Sequence, residues 1–270
     1  MKYYLVNPLS NNGVKLNETF EGEVLDATKT DFRTFFAGLK EEDEVVLVGG
    51  DGTVNYLVNH VDCEHLKNHV YLYANGTGND FLKDINGETG KEVLLDPYLK
   101  NLPTVTVNGI ERKFLNNMGF GIDGYCCEVA DQIREKTPEK KIDYTAIAIK
   151  GLLFHFRPCH AWVTVDGKNY EFDDVWIAPT MKGRYYGGGM NMAPDQDRSS
   201  DTLSVVIYKT KSKLKALMNF PKIFEGKHIE NTQMVKVITG KKIHVKFDRP
   251  CAAQIDGDTV LNVTEYRVTL

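Results

Sequence analysis

A strand-like run, Glu44-Val45-Val46-Leu47-Val48, leads directly into the glycine-rich segment Gly49-Gly50-Asp51-Gly52-Thr53. Three glycines within four positions let the backbone turn sharply and approach a bulky anion closely. Residues 54–60 are predicted to begin a helix, whose first N–H groups and positive dipole end favour a phosphate. A structural turn is the alternative interpretation, because glycine-rich turns between strands and helices are common. Asp51 favours the phosphate interpretation, since a turn does not need a carboxylate, whereas Mg²⁺ or a hydroxyl proton does.

A second glycine-rich segment follows the next apolar run of the chain. Val70-Tyr71-Leu72-Tyr73-Ala74 precedes Asn75-Gly76-Thr77-Gly78-Asn79-Asp80-Phe81, which again carries a hydroxyl, an amide and a carboxylate. The carboxyl ends of neighbouring parallel strands meet at one edge of an open α/β sheet, and ligands bind at that edge. The two segments are therefore predicted to converge on the phosphates of one nucleotide.

Length, charge and cysteine usage narrow the class of protein. A chain of 270 residues suits one large domain or two modest domains with a buried core. No apolar stretch of the sequence is long enough to cross a bilayer, and the first residues lack a signal-peptide pattern. Five cysteines without a CxxC pair favour a reducing, cytoplasmic location. The net charge of −4 argues against a nucleic-acid partner, because nucleic-acid binders usually carry a basic surplus.

The pattern of elements changes near Leu102. Before that point strands and helices alternate, which predicts an α/β (Rossmann-like) nucleotide domain over 1–103 with a parallel sheet. Its predicted strands are 2–6, 23–25, 44–48 and 70–74, and its predicted helices are 31–40 and 53–60. A mainly antiparallel β domain with inserted helices is predicted over 104–270. Its predicted strands are 104–109, 161–165, 170–178, 203–209, 234–238, 242–247 and 265–270, and its predicted helices are 123–134, 141–153 and 211–225. Trp162 and Trp176 fall within strand patterns and are predicted core residues.

Six short motifs occur in a fixed order along the chain. They are Asn7-Pro8-Leu9-Ser10, 49–55, 76–81, 114–121, 186–190 and 254–258. Together they resemble the catalytic domain of the diacylglycerol kinase family, which includes bacterial soluble lipid kinases and sphingosine kinases, with NAD kinases as more distant relatives. Each motif alone is of moderate specificity, but six in the same order over nearly the whole chain make the resemblance strong.

The resemblance implies a fold, a reaction and a set of site residues. The implied fold has an antiparallel β-sandwich as its second domain and binds ATP in the cleft between the domains. The implied reaction transfers the γ-phosphate of ATP to a hydroxyl of diacylglycerol, a sphingoid base or another lipid alcohol. The implied nucleotide contacts are Asn7, Pro8, Ser10, Asn11, Thr28, Gly49, Gly50, Asp51, Gly52, Thr53, Asn55, Gly76 and Thr77.

Four carboxylates carry the implied metal and acid–base roles. Asp51, Asp80 and Asp256 are the implied carboxylates around Mg²⁺, partly through water, and Asp201 belongs to an implied second metal site. Asp258 and Asp51 are the implied catalytic residues, with Asp258 as the general base on the lipid hydroxyl. These residue types fit the chemistry, because phosphoryl transfer depends mainly on positioning and charge neutralisation. Mg²⁺ prefers a few carboxylates together with phosphate oxygens and retained waters.

Three positions depart from the family pattern. Asp258 stands where the family has Glu, so its carboxylate lies one methylene closer to the backbone. This predicts a tighter cleft, transfer of the base role to Asp51, or low activity. Asn11 replaces a glycine of the first loop, although Asn tolerates left-handed backbone. Within 195–203 only Asp201 matches the acidic segment of the family, which weakens the second metal site.

The segment 209–227 combines lysines with apolar residues. The lysines are Lys211, Lys213, Lys215 and Lys222, and the apolar residues are Leu214, Leu217, Met218, Phe220, Ile223 and Phe224. A basic amphipathic helix can rest on anionic lipid headgroups, and a packed helix with a solvated lysine face is an equally good interpretation. An enzyme that acts on a bilayer lipid must reach the membrane, so transient peripheral contact with it is expected. A homodimer through the β-rich domain is also compatible with the sequence.

Three functions compete at this stage. An ATP-dependent lipid kinase is favoured by both glycine-rich segments. The second function is that of an NAD kinase relative, which phosphorylates a soluble nucleotide. NAD kinases share the Gly49–Thr53 type of motif but not the type of segment found at 76–81. A catalytically weak nucleotide-binding regulator is the third, because Asp258 and the segment 195–203 differ from the family pattern.

Overall fold

The computed structural model describes residues 1–10, 18–76, 78–137 and 142–270. The chain forms two compact units, Met1–Leu102 (the N-terminal unit) and Pro103–Leu270 (the C-terminal unit). The division falls one residue before the predicted boundary, at the point where the alternation of strands and helices ends. Each unit contains its own β-sheet.

The N-terminal unit is built on a mainly parallel sheet. Its strands are β1 (Lys2–Val6), β2 (Glu23–Asp26), β3 (Glu44–Gly49), β4 (His69–Ala74) and β5 (Glu92–Leu94), and its helices are α1 (Phe32–Ala37), α2 (Asp51–His60) and α3 (Asp80–Asp84). The described strands lie in the order β2-β1-β3-β4-β5. The pairings among β1, β2, β3 and β4 are parallel, and β5 pairs antiparallel with β4. The carboxyl ends of the parallel strands therefore lie at one edge of the sheet.

The central position of β3 follows from its composition. Residues 45–48 are fully buried, as expected of an apolar run in a parallel sheet that is covered on both faces. The helix predicted over 31–40 is shorter in the structure. It begins after Asp31, whose carboxylate accepts a hydrogen bond from the N–H of Thr34 at 2.7 Å, and it ends before Gly38. This arrangement is an ordinary N-cap, which satisfies a first-turn N–H group.

The C-terminal unit is mainly β with three α-helices among its described residues. Its strands are β6 (Thr104–Val107), β7 (Ile110–Lys113), β8 (Asn117–Phe120), β9 (Cys159–Val165), β10 (Lys168–Ile177), β11 (Thr180–Met181), β12 (Tyr185–Tyr186), β13 (Met190–Asn191), β14 (Leu203–Lys209), β15 (Val235–Gly240), β16 (Lys242–Ile255) and β17 (Asp258–Thr269). Its helices are α4 (Ile122–Lys136), α5 (Tyr144–Lys150) and α6 (Lys213–Asn219). A large apolar core runs through this unit, from Val105 to Val268.

One hydrogen-bonded network joins ten of these strands. The path runs β7-β6-β17-β16-β8-β11-β14-β10-β9, β15 pairs with β14, and β9 also pairs with β16. The long strand β16 thus contacts β9 through its first half and β8 through its last residues, on the edge opposite β17. The described strands form a single antiparallel network that closes on itself through β16. The β-sandwich that the resemblance implied stays a prediction.

Several predicted elements have different lengths in the structure. The strands predicted at 242–247 and 265–270 are parts of β16 and β17, which form a hairpin through Asp256 and Gly257 at φ angles of 47° and 96°. Two positive φ values in a two-residue loop match the right-handed twist of the strands. The helix predicted at 141–153 divides into α5 and a π-helical turn, Gly151–His155.

The helix predicted at 211–225 ends as an α-helix at Asn219 and continues as a 3₁₀ turn, Phe220–Ile223. Pro221 lies in that turn, and its missing N–H cannot support an α-helical hydrogen bond.

The two tryptophans occupy different environments. Trp176 is buried, as predicted, and its indole N–H donates to the Thr210 carbonyl at 2.8 Å. The prediction for Trp162 is wrong. Along β9, Ala161 and Val163 point into the core while Trp162 points outward. The alternation of a strand therefore outweighs the hydrophobicity of the side chain at this position.

All five cysteines are free thiols; Cys63, Cys126 and Cys159 are buried, and Cys127 and Cys251 are half-buried. Among the described residues, no helix is both long and apolar enough to span a bilayer.

Candidate functional site

The loop after β1 is tied to β3 and α2 through Asn7. The Asn7 N–H donates to the Val48 carbonyl at 2.9 Å, and the Asn7 side-chain amide donates to the Thr53 hydroxyl at 3.0 Å. The Ser10 hydroxyl donates to the Asn7 carbonyl at 2.7 Å, which closes the loop as a turn. Asn7 therefore fixes the first loop against the start of α2, at the sheet edge where a ligand is expected.

The glycines of the first glycine-rich segment, in the loop between β3 and α2, are required by close packing. A side-chain carbon at Gly49 would lie 2.2 Å from the Thr53 hydroxyl, and one at Gly50 would lie 3.0 Å from the Cα atom of Gly76. A carbon at Gly52 would meet no atom within 4 Å. The first turn of α2 begins at Gly50 without a side-chain cap among the described residues. The N–H of Thr53 donates to the Gly50 carbonyl at 2.9 Å, and the helix dipole places a partial positive charge at this end of α2.

The second glycine-rich segment, in the loop between β4 and α3, contacts the first one directly. The Asn75 N–H donates to the Gly49 carbonyl at 2.7 Å, and its side-chain amide donates to the Ser10 hydroxyl at 3.3 Å. The side chain of Asn79 holds Gly76 from both sides, accepting from its N–H at 3.1 Å and donating to its carbonyl at 2.9 Å. The two glycine-rich segments therefore converge.

Asp51 connects the first turns of two helices. Its Oδ2 atom accepts a hydrogen bond from the Phe81 N–H at 3.1 Å, so α2 and α3 are linked at their amino ends. Asp80 is the first residue of α3 and is buried. The predicted carboxylates of the N-terminal unit thus both lie at helix starts next to the glycine-rich loops.

Three further predicted nucleotide residues, Thr28, Pro8 and Asn55, lie at the same sheet edge or just behind it. Thr28 follows β2, beside the end of β1, and its N–H and hydroxyl both donate to Asp26, which lowers the pKa of that carboxyl. Pro8 is exposed in the first loop, and Asn55 is buried within α2. Asn11 and Thr77 lie outside the described residues.

Asp256 of the C-terminal unit is held by backbone donors. Its carboxylate accepts hydrogen bonds from the N–H groups of Leu115, Asn116 and Asn117 at 2.5, 2.8 and 2.9 Å. Asp256 thereby fastens the β16–β17 hairpin to the segment that opens β8. Its predicted metal role stays a prediction, and its observed contacts are structural.

Arg198 completes this arrangement and was missed by the sequence reasoning. Its buried guanidinium donates to the Leu115 carbonyl at 2.5 Å and to the Asn116 side-chain oxygen at 2.6 Å. The only available signal was a lone arginine inside an acidic segment, 195–201.

Asp258, the predicted general base, is the first residue of β17. Its side chain is 66% exposed, and its carboxylate forms an ion pair with the Arg112 guanidinium of β7 at 2.8 Å. A general base needs only hydrogen-bond reach of its substrate hydroxyl in the closed complex. Exposure leaves Asp258 accessible to such a partner, and Arg112 orients it.

Asp201, the predicted residue of a second metal site, is paired with a cation. The Lys241 ammonium hydrogen-bonds its carboxylate and lowers the pKa of Asp201. The loop before it is held by Lys182, whose buried ammonium donates to the Ser200 carbonyl at 2.9 Å and whose pKa is lowered by burial. Within the described residues, no three His, Cys, Asp or Glu side chains form a group that could hold a metal ion.

Asp123 is a buried carboxyl that the sequence reasoning did not single out. It lies in the first turn of α4, where Oδ1 accepts from the Gly124 N–H at 2.9 Å and Oδ2 lies 3.4 Å from the Gln254 amide nitrogen. Burial raises the pKa of Asp123 to about 6. A side-chain carbon at Gly119 would overlap Asp123, so this glycine makes room for the carboxyl.

Two sequence families match this chain. One covers most of the N-terminal unit, and the other covers most of the C-terminal unit. The family described as "Diacylglycerol kinase catalytic domain" matches residues 8–112. The family described as "YegS C-terminal NAD kinase beta sandwich-like domain" matches residues 116–267, which is more than half of the chain.

Individual proteins agree with these matches. The chain is 27% identical to a diacylglycerol kinase of Mycobacterium tuberculosis (strain ATCC 25618 / H37Rv), over 88% of this chain and 77% of the relative. It is 26% identical to a candidate lipid kinase of Staphylococcus aureus (strain Newman), over 82% of this chain and 72% of the relative. A crystal structure of a candidate diacylglycerol kinase from Bacillus anthracis str. Sterne has a TM-score of 0.70, with 19% identity over 99% of this chain and 91% of that chain. At that identity the structural similarity concerns the fold.

Proposed function

Because this chain belongs to the diacylglycerol kinase family of lipid kinases, we propose that it transfers the γ-phosphate of ATP to the hydroxyl of a lipid, diacylglycerol or a similar lipid alcohol. The observation that carries the proposal is the contact between the two glycine-rich loops, where Gly50 and Gly76 leave no room for each other's side chains. Such close backbone packing under an uncapped helix start is a means of binding phosphate.

The residues of the N-terminal unit fit ATP. The first turn of α2 offers N–H donors, Gly52 leaves open space beside them, and Asn7 holds the neighbouring loop in place. When bound, ATP supplies the phosphoryl group and its negative charge. In the proposal, the N–H groups of α2 bind that charge, and Asn75 and Asn79 keep the second glycine loop in the conformation that receives it.

Mg²⁺ is proposed to accompany ATP, and Asp51 and Asp80 are its proposed carboxylates. Both stand at helix starts beside the glycine loops, and oxygen donors of this type suit Mg²⁺. Asp256 and Asp201 contribute less to the proposed Mg²⁺ site. Three backbone N–H groups already bind the Asp256 carboxylate, and Lys241 binds that of Asp201.

Asp258 is proposed as the general base on the lipid hydroxyl. It is exposed, and its ion pair with Arg112 orients its carboxylate. A positioned base contributes about a hundredfold to ten-thousandfold to such a reaction, so Asp258→Ala should reduce turnover by at least that lower factor. Asp258→Glu should retain or raise activity if the longer acid of the family is compatible with this site.

The test combines γ-labelled ATP, Mg²⁺ and vesicles that contain diacylglycerol or a total lipid extract, followed by identification of the labelled product. Asp51→Asn should abolish turnover without loss of folding, because the amide oxygen can still accept the Phe81 N–H. Asp173→Ala, an exposed carboxylate on β10, is the matched control for Asp258→Ala and should retain activity.

The competing functions are outcomes of the same assay. Labelled lipid that requires vesicles supports the proposal. Phosphorylation of NAD in the absence of any vesicle would assign the chain to the soluble-nucleotide reaction. ATP binding without turnover on any lipid would identify a nucleotide-binding regulator.

A further inference from the structure

Two neighbouring elements of the C-terminal unit expose large apolar side chains. Phe154 of the π-helical turn Gly151–His155 is 74% exposed, and Leu214 and Met218 of α6 are 65% and 70% exposed. Leu214 and Met218 are four residues apart and therefore share one face of the helix. The Lys213 ammonium donates to the Leu153 carbonyl at 2.6 Å, which fixes α6 beside the turn. Phe154, Leu214 and Met218 are named the apolar patch.

The helix that carries the patch is firmly mounted. The Ser212 hydroxyl caps α6 by accepting from the Lys215 N–H at 3.3 Å. The Tyr208 hydroxyl donates to the Ala216 carbonyl at 3.2 Å, and Ala216 itself is buried. The side of α6 that faces the core is therefore already packed and hydrogen-bonded. The packing of the unit does not explain why Leu214 and Met218 are exposed.

The two segments that carry the apolar patch are rich in basic residues. The segment 211–224 contains Lys211, Lys213, Lys215 and Lys222 and no acidic residue. The carboxylate of Glu225, which follows it, is paired with the Lys227 ammonium at 2.7 Å. The segment 144–157, which includes Phe154, contains Lys150 and Arg157 and again no acidic residue. The whole chain has a net charge of −4, so these two segments are basic in a molecule that is acidic as a whole.

We propose that the apolar patch and its lysines form the surface by which this protein docks on an anionic lipid bilayer. The apolar side chains would enter the boundary between headgroups and acyl chains, and the ammonium groups of Lys211 and Lys215 would contact lipid phosphates. The charge pattern favours a bilayer over a protein partner. Three side chains are also far less than the roughly 800 Å² per partner that a stable protein interface buries. The inference concerns binding and stands apart from the phosphorylation reaction.

Co-sedimentation of the full chain with vesicles tests this surface without ATP or an acceptor lipid. Binding is expected to vesicles of phosphatidylcholine with phosphatidylglycerol, to be much weaker with phosphatidylcholine alone, and to fall as salt rises. Leu214→Ser with Met218→Ser, and Phe154→Ser separately, should each weaken binding by about tenfold or more. Reversal of charge in Lys211→Glu with Lys215→Glu should do the same.

Ile110→Ser is the matched control. Ile110 lies on β7, is 45% exposed and belongs to neither segment of the patch, so its substitution should leave vesicle binding unchanged. Because every substituted side chain is exposed, each variant should keep the melting temperature of the parent. Equal binding by all variants and the parent would overturn the proposal.

A fluorescence measurement gives an independent readout. Phe154→Trp should show a blue shift of the added indole emission with phosphatidylglycerol vesicles, after subtraction of the parent, whereas Ile110→Trp should show none. A blue shift that requires only high protein concentration, with dimers in sedimentation velocity, would instead assign the patch to a second copy of the chain. Loss of lipid phosphorylation with normal vesicle binding would contradict the proposed function and leave this surface intact.

Discussion

At the scale of single residues, Gly50 and Gly76 show how close packing substitutes for side-chain chemistry. A side-chain carbon at Gly76 would lie 2.8 Å from the Cα atom of Gly50 and 2.7 Å from the Asn79 side-chain oxygen. The obstacle is partly backbone, which cannot rotate away as a flexible side chain can. The contact therefore explains why both loops need glycine, beyond the ability of glycine to turn.

The first prediction compares two glycine substitutions in the absence of nucleotide. Gly76→Ala should destabilise the folded protein by about 1–3 kcal/mol, since it forces the two loops apart. Gly52→Ala should be neutral or stabilising by up to about 1 kcal/mol, because its added carbon meets open space and alanine favours a helix. Urea denaturation of both variants checks this difference. Equal destabilisation by the two substitutions would show that the loops do not pack as described.

The second prediction concerns Asp123. Burial raises the pKa of this carboxyl from 3.8 to about 6, so the folded protein holds the proton more tightly than the unfolded chain. The resulting cost is absent below about pH 4, grows as the pH rises to about 6, and reaches about 3 kcal/mol above that. Asp123→Asn removes the titration. The stability of the variant relative to the parent should therefore rise between about pH 4 and pH 6 and then level off.

Urea denaturation across this pH range measures the difference. His228 has the opposite effect, because burial lowers its pKa to about 4, and stability from this residue rises with pH. His228 is present in both proteins, so its contribution cancels in the comparison. A constant difference between variant and parent at all pH values would mean that Asp123 titrates normally.

At the scale of elements, the segment before β8 depends on a residue far along the chain. Asp256 accepts three backbone N–H groups from residues 115–117, and Arg198 binds the carbonyl and side chain of the same segment. Asp256 is half-buried and Arg198 is buried. An N–H group of this segment that lost its acceptor would therefore be costly to leave without a hydrogen bond. Through these contacts the β16–β17 hairpin and Arg198 hold the start of β8 in place, and we call this set of hydrogen bonds the clasp.

The third prediction tests that clasp. Asp256→Asn replaces one acceptor oxygen by a donor and should destabilise the C-terminal unit by about 2–4 kcal/mol, even without nucleotide or Mg²⁺. Asp201→Asn, which removes only an exposed ion pair with Lys241, is the control and should cost less than about 1 kcal/mol. Thermal denaturation in the presence of a chelator separates the two. Unchanged stability of the Asp256 variant would show that these hydrogen bonds do not stabilise the C-terminal unit.

The elements that the sequence predicted well are those with local causes. The strands β3 and β4 and the glycine loops after them follow from short apolar runs and from residues next to one another in the chain. The clasp could not be predicted, because Asp256 and Asn116 are 140 positions apart and the sequence does not indicate which backbone amides a carboxylate will meet. The outward position of Trp162 was present in the alternation of β9, but hydrophobicity was given more weight than register.

At the scale of the whole molecule, the described strands of each unit pair only with strands of the same unit. The described strands β1–β5 lie in the N-terminal unit and β6–β17 in the C-terminal unit. The large apolar core from Val105 to Val268 belongs to the C-terminal unit alone. The glycine loops and the apolar patch consequently lie in different units, which allows nucleotide binding and bilayer docking to be tested separately.

The fourth prediction uses this division. A fragment of residues 103–270 should unfold cooperatively, because it keeps its sheet and its core, and a domain of this size can fold alone. It should bind phosphatidylglycerol vesicles as the full chain does and should show no affinity for ATP, whereas Leu214→Ser with Met218→Ser should abolish its vesicle binding. Circular dichroism and co-sedimentation measure both properties. A cooperatively folded fragment that stays in solution while the full chain sediments would place the docking surface, wholly or in part, in the N-terminal unit.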